Sequence, residues 1–205
     1  MPFVKGAQKH WFKAFVLLLI VIISAYTVYW LKQSSDPFPK MKKAPEFTLQ
    51  NLQGQNVSLS ESNSKVRLVE FFFASCPDIC PATTSNMVLM QNNLKEKKVF
   101  GSKVQFISIT FDPQRDTPEV LQRYAKMLGV DKGAGWQMLR GTEEKSLQIA
   151  NDFGLMVVKQ KDGQFAHSIR SLFLIDQEGF IRKVFDMGEN MDNVAIEKAI
   201  VQLTK

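Results

Sequence analysis

VRLVEFFFASCPDICP, residues 66–81, runs from a dense apolar segment straight into a turn that holds two cysteines. Val66–Ala74 reads as a strand buried on both faces, because apolar residues fill both parities of the run. Pro81 fits the first turn of a helix, where its missing N–H costs no hydrogen bond, so a helix is predicted from there to about Lys98. Downstream, Val104–Phe111 (VQFISITF) reads as a second central strand. Asp116-Thr117-Pro118-Glu119 starts a helix to about Leu128, with Asp116 as N-cap and Glu119 completing a capping box. Thr142–Phe153 is predicted as a further helix. Met156–Gln160 and Gln164–Ser168 flank Lys161-Asp162-Gly163, an Asp-Gly hairpin turn. Ser171–Ile175 pairs with Ile181–Phe185 through the turn Gln177-Glu178-Gly179, and Asn193–Leu203 closes the chain as a helix. Upstream, Glu46–Ser60 reads as two short strands around Leu52-Gln53-Gly54-Gln55.

Strand–helix–strand–helix followed by a β-hairpin and a last helix describes an α/β fold of thioredoxin-like order, a central mixed sheet flanked by helices. This domain is expected over residues 46–205, a normal size for one core. Before it come a short tail (1–13), an apolar segment (14–31) and a polar, extended linker (32–45) with three prolines. The apolar segment, AFVLLLIVIISAYTVYWL, is 18 residues without a charge. At ~1.5 Å rise per residue it spans roughly 27 Å, the depth of a bilayer's hydrocarbon core. Trp11 and Phe12 flank one end and Tyr26, Tyr29 and Trp30 the other, where interface-seeking aromatics belong. Ile23-Ser24-Ala25 loosely resembles a signal cleavage site, but the run continues past the length a signal needs, so an uncleaved transmembrane anchor is expected. No cysteine lies near it to carry a lipid. Lys5, Lys9 and Lys13 have no acid beside them, which places the N-terminus in the cytoplasm and the domain on the extracytoplasmic side, where a cysteine pair can oxidise.

The formal charge of +6 is mild, because the chain beyond the anchor carries 23 basic against 20 acidic residues with no Lys/Arg cluster. Nucleic-acid binding is therefore excluded. Two cysteines cannot build a disulfide-framework mini-protein. No phosphate-cradling glycine loop, serine-nucleophile elbow or paired-histidine protease motif is present.

The chemistry concentrates at Cys76 and Cys80, both cysteines of the chain, separated by three residues at a strand-to-helix turn. Carboxyl ends of strands are where sites form in open α/β sheets. The positive end of the following helix is expected to favour thiolate and lower the thiol pKa. Dithiol exchange and metal binding both fit such a pair. Of the two histidines, His10 precedes the anchor and is given no role. His167, at the start of a strand after the hairpin turn, is the imidazole available to the domain, and it would reach the cysteine turn across the strand ends. Two thiolates and an imidazole form a soft donor set. A structural zinc site would want a fourth protein ligand and Fe–S clusters ordinarily need four cysteines, so copper fits best, with zinc plus a water ligand left open.

Phe71–Pro81 (FFFASCPDICP), Phe111–Leu121 (FDPQRDTPEVL) and His167 before Leu172–Asp176 (LFLID) resemble the Sco/SenC family from about Lys43 to the C-terminus. That resemblance implies a membrane-anchored, thioredoxin-like copper protein required for assembly of cytochrome c oxidase. It implies Cys76, Cys80 and His167 as ligands of Cu(I) or Cu(II), the copper-receiving oxidase subunit as partner, and a thiol reductant to keep the pair open. Several relatives place an Asp before the histidine, whereas this chain has Ala166; if that Asp orients the imidazole, another group must do so here, or copper is held less firmly. Residues 119–205 contain no proline, so the chain lacks the cis-proline that generic thioredoxin-like reductases carry opposite their cysteines.

Asp112, Arg115 and Asp116 are candidates for a shell around the site, although Asp116 as a helix cap and Arg115 paired with Asp112 explain them structurally. Asp78, between the cysteines, either tunes the site or is an ordinary turn residue. Met87, Met90 and Phe71–Phe73 are expected in the core. A copper chaperone is the leading expectation, ahead of a thiol–disulfide oxidoreductase acting on an oxidase subunit and of a peroxiredoxin-like peroxidase.

Overall fold

The computed structural model describes residues 4–34, 37–133, 135–159, 165–167 and 171–205, and of residues 4–10, 32–34, 166 and 167 it describes the backbone. The chain divides into two compact units, Met1–Pro39 and Lys40–Lys205. The first is α1 (Val4–Ser34), unbroken by proline or glycine after Gly6. Its stretch Trp11–Leu31 is long and apolar enough to cross a membrane, and every side chain described along it is exposed.

The second unit comprises β1 (Lys42–Lys43), β2 (Thr48–Gln50), β3 (Asn56–Ser58), a 3-10 turn (Leu59–Ser62), β4 (Val66–Phe72), α2 (Ile79–Glu96), β5 (Val104–Thr110), α3 (Pro118–Leu128), β6 (Trp136–Leu139), α4 (Glu143–Asp152), β7 (Val157–Lys159), β8 (Phe165–His167), β9 (Ser171–Ile175), β10 (Phe180–Asp186) and α5 (Asn193–Leu203). The main sheet runs β1-β10-β9-β4-β5-β6. Parallel β4, β5 and β6 form one half of it and antiparallel β9 and β10 the other.

β4 and β5 are buried at every position, as their two-faced apolar pattern requires. One face of β4 points Glu70 and Phe72 towards α2 and α3, with Phe72 against Tyr124 at 5.4 Å. The other points Phe71 at Phe153 and Phe173, edge to face, with ring centres 5.2 and 6.3 Å away. Met87 and Met90 lie fully buried on the inner face of α2, as expected.

Several boundaries differ from the sequence expectation. α2 begins at Ile79, so Cys80 lies inside its first turn, ahead of Pro81. Lys42–Lys43, expected in the linker, pairs with Phe180 and Ile181 of β10. β6 was not foreseen because four residues, Trp136–Leu139, carry no usable period. The cap of α3 is Thr117, whose hydroxyl accepts from Val120 N–H at 3.3 Å, and Asp116 is thereby released for another role. The expected hairpin turn Lys161-Asp162-Gly163 lies outside the described residues, while β7 and β8 pair antiparallel with Val157 opposite His167.

The end of the sheet remote from the cysteines is fixed by buried charge. Arg67 is fully buried and donates from Nη1 to the carbonyls of Ser62 (3.2 Å) and Lys65 (2.6 Å). Burial lowers its pKa to about 10, against the pull of Asp176. Asp176 Oδ1 accepts from the Glu178 and Phe180 N–H groups at 3.0 and 2.9 Å, and Oδ2 accepts from Arg182 at 2.9 Å. One carboxylate thus closes the β9–β10 turn and neutralises a largely buried guanidinium. Asp176→Ala is expected to cost about 3–5 kcal/mol, because it removes the carboxylate facing a largely buried Arg182 and the acceptor of two backbone donors. Urea denaturation of parent and variant measures it; a loss within 0.5 kcal/mol, the ordinary range for surface changes, would contradict this account.

Candidate metal centre

β4 ends at Phe72, and the chain leaves the sheet through Phe73-Ala74-Ser75 into the cysteine turn. The turn is drawn tight by Cys76 N–H donating to Phe73 C=O at 3.2 Å. Ser75, Pro77 and Asp78 are exposed while Cys76 and Cys80 are 6% and 2% exposed, so the sulfurs lie just below a polar lip. The two thiols are not bridged; they are hydrogen-bonded to each other. Cys80 is held protonated far above an ordinary thiol, first by that hydrogen bond, then by burial and by charge at Cys76 and Glu70, against an opposing backbone hydrogen bond from Phe73. The helix N-terminus was expected to lower the thiol pKa, and for Cys80 the outcome is the reverse. Proximity of a second sulfur and loss of water outweigh the helix dipole, which acts within one turn and is worth at most a few kcal/mol.

Asp116 has left the α3 cap to hold this turn. Its carboxylate oxygens accept the Ala74 N–H at 3.2 and 3.1 Å, and Oδ2 also accepts the Thr110 hydroxyl. Burial pushes the Asp116 carboxyl up, while these donors and Arg140 work against the shift. Arg140 itself donates to Pro113 C=O at 2.8 Å. Asp112, 2% exposed, accepts through its carbonyl from Arg115 and Asp116 N–H at 3.2 and 2.9 Å. Arg115 Nη1 stands 3.4 Å from Asp112 Oδ2, an ion pair without hydrogen-bond alignment. Asp112, Arg115 and Asp116 therefore form one cluster at the end of β5, tied to the cysteine turn through Ala74. Asp78 is apart from them. It borders a cleft of about 430 Å³ with Ile79, Asp186, Met187, Gly188, Glu189 and Asn190. The Gly188 loop is stapled to α2: its N–H donates to Thr83 Oγ1 at 2.9 Å and its carbonyl accepts from Asn86 at 2.9 Å. A Cβ at Gly188, at φ +106°, would press on Ile79 at 3.3 Å.

His167 is placed through its strand. β8 pairs with β7, and Phe165, two positions before the histidine, packs on Phe73 and Phe111 at the C-terminal ends of β4 and β5. The His167 side chain lies outside the described residues. Among the described residues no three His, Cys, Asp or Glu side chains gather as a metal cluster.

Glu70 is the residue that motif reading missed. It is fully buried beneath α2, accepting from Ser108 at 2.6 Å, which in turn accepts from Trp136 Nε1 at 2.8 Å. Its Oε2 has no aligned partner. Burial raises its pKa from the usual 4.5 to about 7, with the Ser108 and Thr84 hydroxyls opposing. The signal was available: an acid inside a strand buried on both faces must be paired or protonated.

A family model described as SCO1/SenC matches residues 35–203. The chain belongs to the SCO1/SenC family. The SCO1 protein homolog of Bacillus subtilis is 32% identical over 152 residues, covering 70% of this chain and 74% of that protein. Among solved structures, BsSco, described with a disulfide switch and as a member of the Sco family of cytochrome c oxidase assembly proteins, is 28% identical with a TM-score of 0.69, covering 79% of this chain and 93% of that one. Yeast Sco1 with copper bound is 27% identical with a TM-score of 0.62, covering 79% and 88%. These likenesses confirm the thioredoxin-like α/β fold of the SCO1/SenC chain, and SCO1/SenC proteins handle copper and take part in oxidase assembly.

The raised carboxyl has a consequence for stability. Folded, Glu70 keeps its proton to about pH 7; unfolded, it loses it near its usual value. Stability is thus full below about pH 4.5 and falls as pH rises to 7, by ~3 kcal/mol in all. Among the described residues Cys76, Cys80, Tyr124 and, through Thr110, Asp116 are titratable groups on that side; Cys80 and Tyr124 hold their protons through this window, and the burial-raised Asp116 is common to parent and variant. Glu70→Gln is expected to gain on the parent by about that amount between pH 4.5 and 7.5. Denaturant titrations across that range measure it, and a parent–variant difference independent of pH would refute the assignment.

Proposed function

We propose that this chain is a membrane-anchored copper chaperone that holds Cu(I) or Cu(II) through Cys76, Cys80 and His167 and assists copper-site assembly in cytochrome c oxidase. α1 serves as the anchor, with the N-terminus in the cytoplasm and the domain on the extracytoplasmic side. The observation that carries the proposal is the pair of unbridged, mutually hydrogen-bonded thiols at the exit of β4. Their spacing lets one soft ion take the place of the hydrogen bond between them, the thiol protons leaving to solvent. Copper bound to yeast Sco1 and oxidase assembly attributed to the family of BsSco support the choice of cargo and recipient.

Loading deprotonates the thiols, and a neutral imidazole completes a three-donor site. Transfer proceeds by ligand exchange, a recipient's thiolates displacing these donors one at a time. Two-electron oxidation to a Cys76–Cys80 disulfide removes both sulfur donors, so a loaded site and a bridged site exclude each other. A thiol reductant is therefore needed to reopen the pair whenever an oxidant has bridged it. The same pair supports a second reading, thiol–disulfide exchange on an oxidase subunit, favoured by the disulfide switch described for BsSco. Reduction of partner disulfides by the copper-free His167→Ala protein would select it.

The reduced full chain is expected to bind about one copper ion per two-thiol site. His167→Ala should weaken Cu(II) binding, and Cys76→Ala should nearly abolish it. Because Cys80 holds its proton through neutral pH, apparent affinity should fall as pH is lowered, by about tenfold per pH unit for each proton displaced. Competition titrations from pH 6 to 8 test all three. Unchanged Cu(II) affinity in His167→Ala, or affinity independent of pH, would overturn the ligand set.

A further inference from the structure

Phe165 is the deeply buried side chain of the β7–β8 pair among the described residues, 6% exposed, whereas Val158 is 61% exposed. Its ring centre lies 5.1 Å from Phe111 and 6.1 Å from Phe73, and those two are 5.2 Å from each other. The three rings close a triangle whose members come from three chain segments. Phe73 accepts the Cys76 N–H through its carbonyl, and Phe111 immediately precedes Asp112. Lys159 covers the outside of the triangle, its Nζ 5.4 Å from the Phe165 ring centre, and is itself held by Glu143 at the start of α4 at 2.7 Å. Phe165 and His167 are two apart on one strand, ~7 Å between Cα atoms.

We propose that Phe165 is the positioning residue of the metal site: clasped by Phe73 and Phe111, it holds the strand of His167 at the end of the sheet from which the cysteine turn departs. This step rests on the ligand set proposed above. A two-stranded pair is marginal by itself, so without an anchor β8 would sample many placements. Each placement that carries His167 away subtracts from the population able to bind. Phe73 makes the anchor specific, because the residue that clasps the histidine strand also fixes the first turn of the cysteine loop. Phe165 touches no copper; it acts through His167.

The test is a double-variant cycle in the full chain in detergent micelles, with reduced protein and Cu(II) as probe. Phe165→Ala is expected to lower Cu(II) affinity by about 10- to 100-fold, the range found when groups that orient a metal ligand are removed. Phe165→Leu, which refills most of the triangle, should recover most of that loss. In the His167→Ala background, Phe165→Ala should add less than about twofold. Electron paramagnetic resonance should show the nitrogen hyperfine pattern lost in Phe165→Ala while the sulfur-to-copper charge-transfer band persists. Parent-like affinity in Phe165→Ala, or an equal loss in both backgrounds, would overturn the positioning role while leaving the ligand set standing. If Phe165→Ala does not fold, Phe165→Val takes its place in the cycle, and an equal loss in both backgrounds or parent-like affinity in Phe165→Val overturns the role in the same way. Unchanged affinity in His167→Ala alone would remove the ligand set, and this proposal with it.

Discussion

The parallel register of β4 against β5, with Glu70 opposite Ser108 and Phe72 opposite Thr110, is the constraint on which the rest of the domain depends. It brings both strands to their carboxyl ends side by side, Phe111 N–H donating to Phe72 C=O at 3.2 Å. From that point the cysteine turn and the Asp112–Asp116 turn leave as neighbours, and one carboxylate can bond both the Ala74 amide and the Thr110 hydroxyl. The same register puts Phe73 beside Phe111, the seat for Phe165. A one-residue slip would send Glu70 to the opposite face from α2 and break every one of these contacts together.

β4 carries two ionisable residues in a wholly buried strand, and the fold settles them by opposite means. Arg67 keeps its charge because carbonyls and the Asn63 side chain surround it, with Asp176 nearby. Glu70 has the Ser108 and Thr84 hydroxyls, one unaligned oxygen and, among the described residues, no ion-pair partner, so below about pH 7 the uncharged form is favoured. The difference follows position. Arg67 lies near the beginning of the strand, where the carbonyls of Ser62 and Lys65 face it as acceptors, whereas Glu70 lies under a helix whose N–H groups are already spent on its own turns.

The frame was legible because its signals are local. Val66–Ala74 declares a doubly buried strand through apolar residues at both parities, and Asn193–Leu203 declares a helix of the observed bounds. The cysteine turn is legible as well, since a strand followed at once by Cys, Pro and Cys leaves little else to read. What failed is non-local. Asp116 looked like a cap because Asp and Glu stand three apart, yet Ala74, 42 residues earlier, competes for its oxygens and Thr117 serves as the cap. The thiol shift was misjudged for the same reason: the helix dipole is visible in one dimension, whereas the second sulfur's proton and the burial beneath the turn are properties of packing. Phe165 gave no signal, since one aromatic in a short strand says nothing of which rings it will meet.

Burying a dithiol above a carboxyl is a poor way to make a tight metal trap and a sound way to make a carrier. A site whose second thiol keeps its proton well above neutral pH must surrender that proton to every incoming ion, so intrinsic metal–sulfur strength is partly cancelled. The proton returns when the ion leaves, and the empty pair regains the hydrogen bond between Cys76 and Cys80 in place of two bare thiolates in an apolar bed. Unloading therefore ends in a satisfied state. On the proposed function, this proton cost works in favour of a recipient whose thiolates are exposed and already deprotonated.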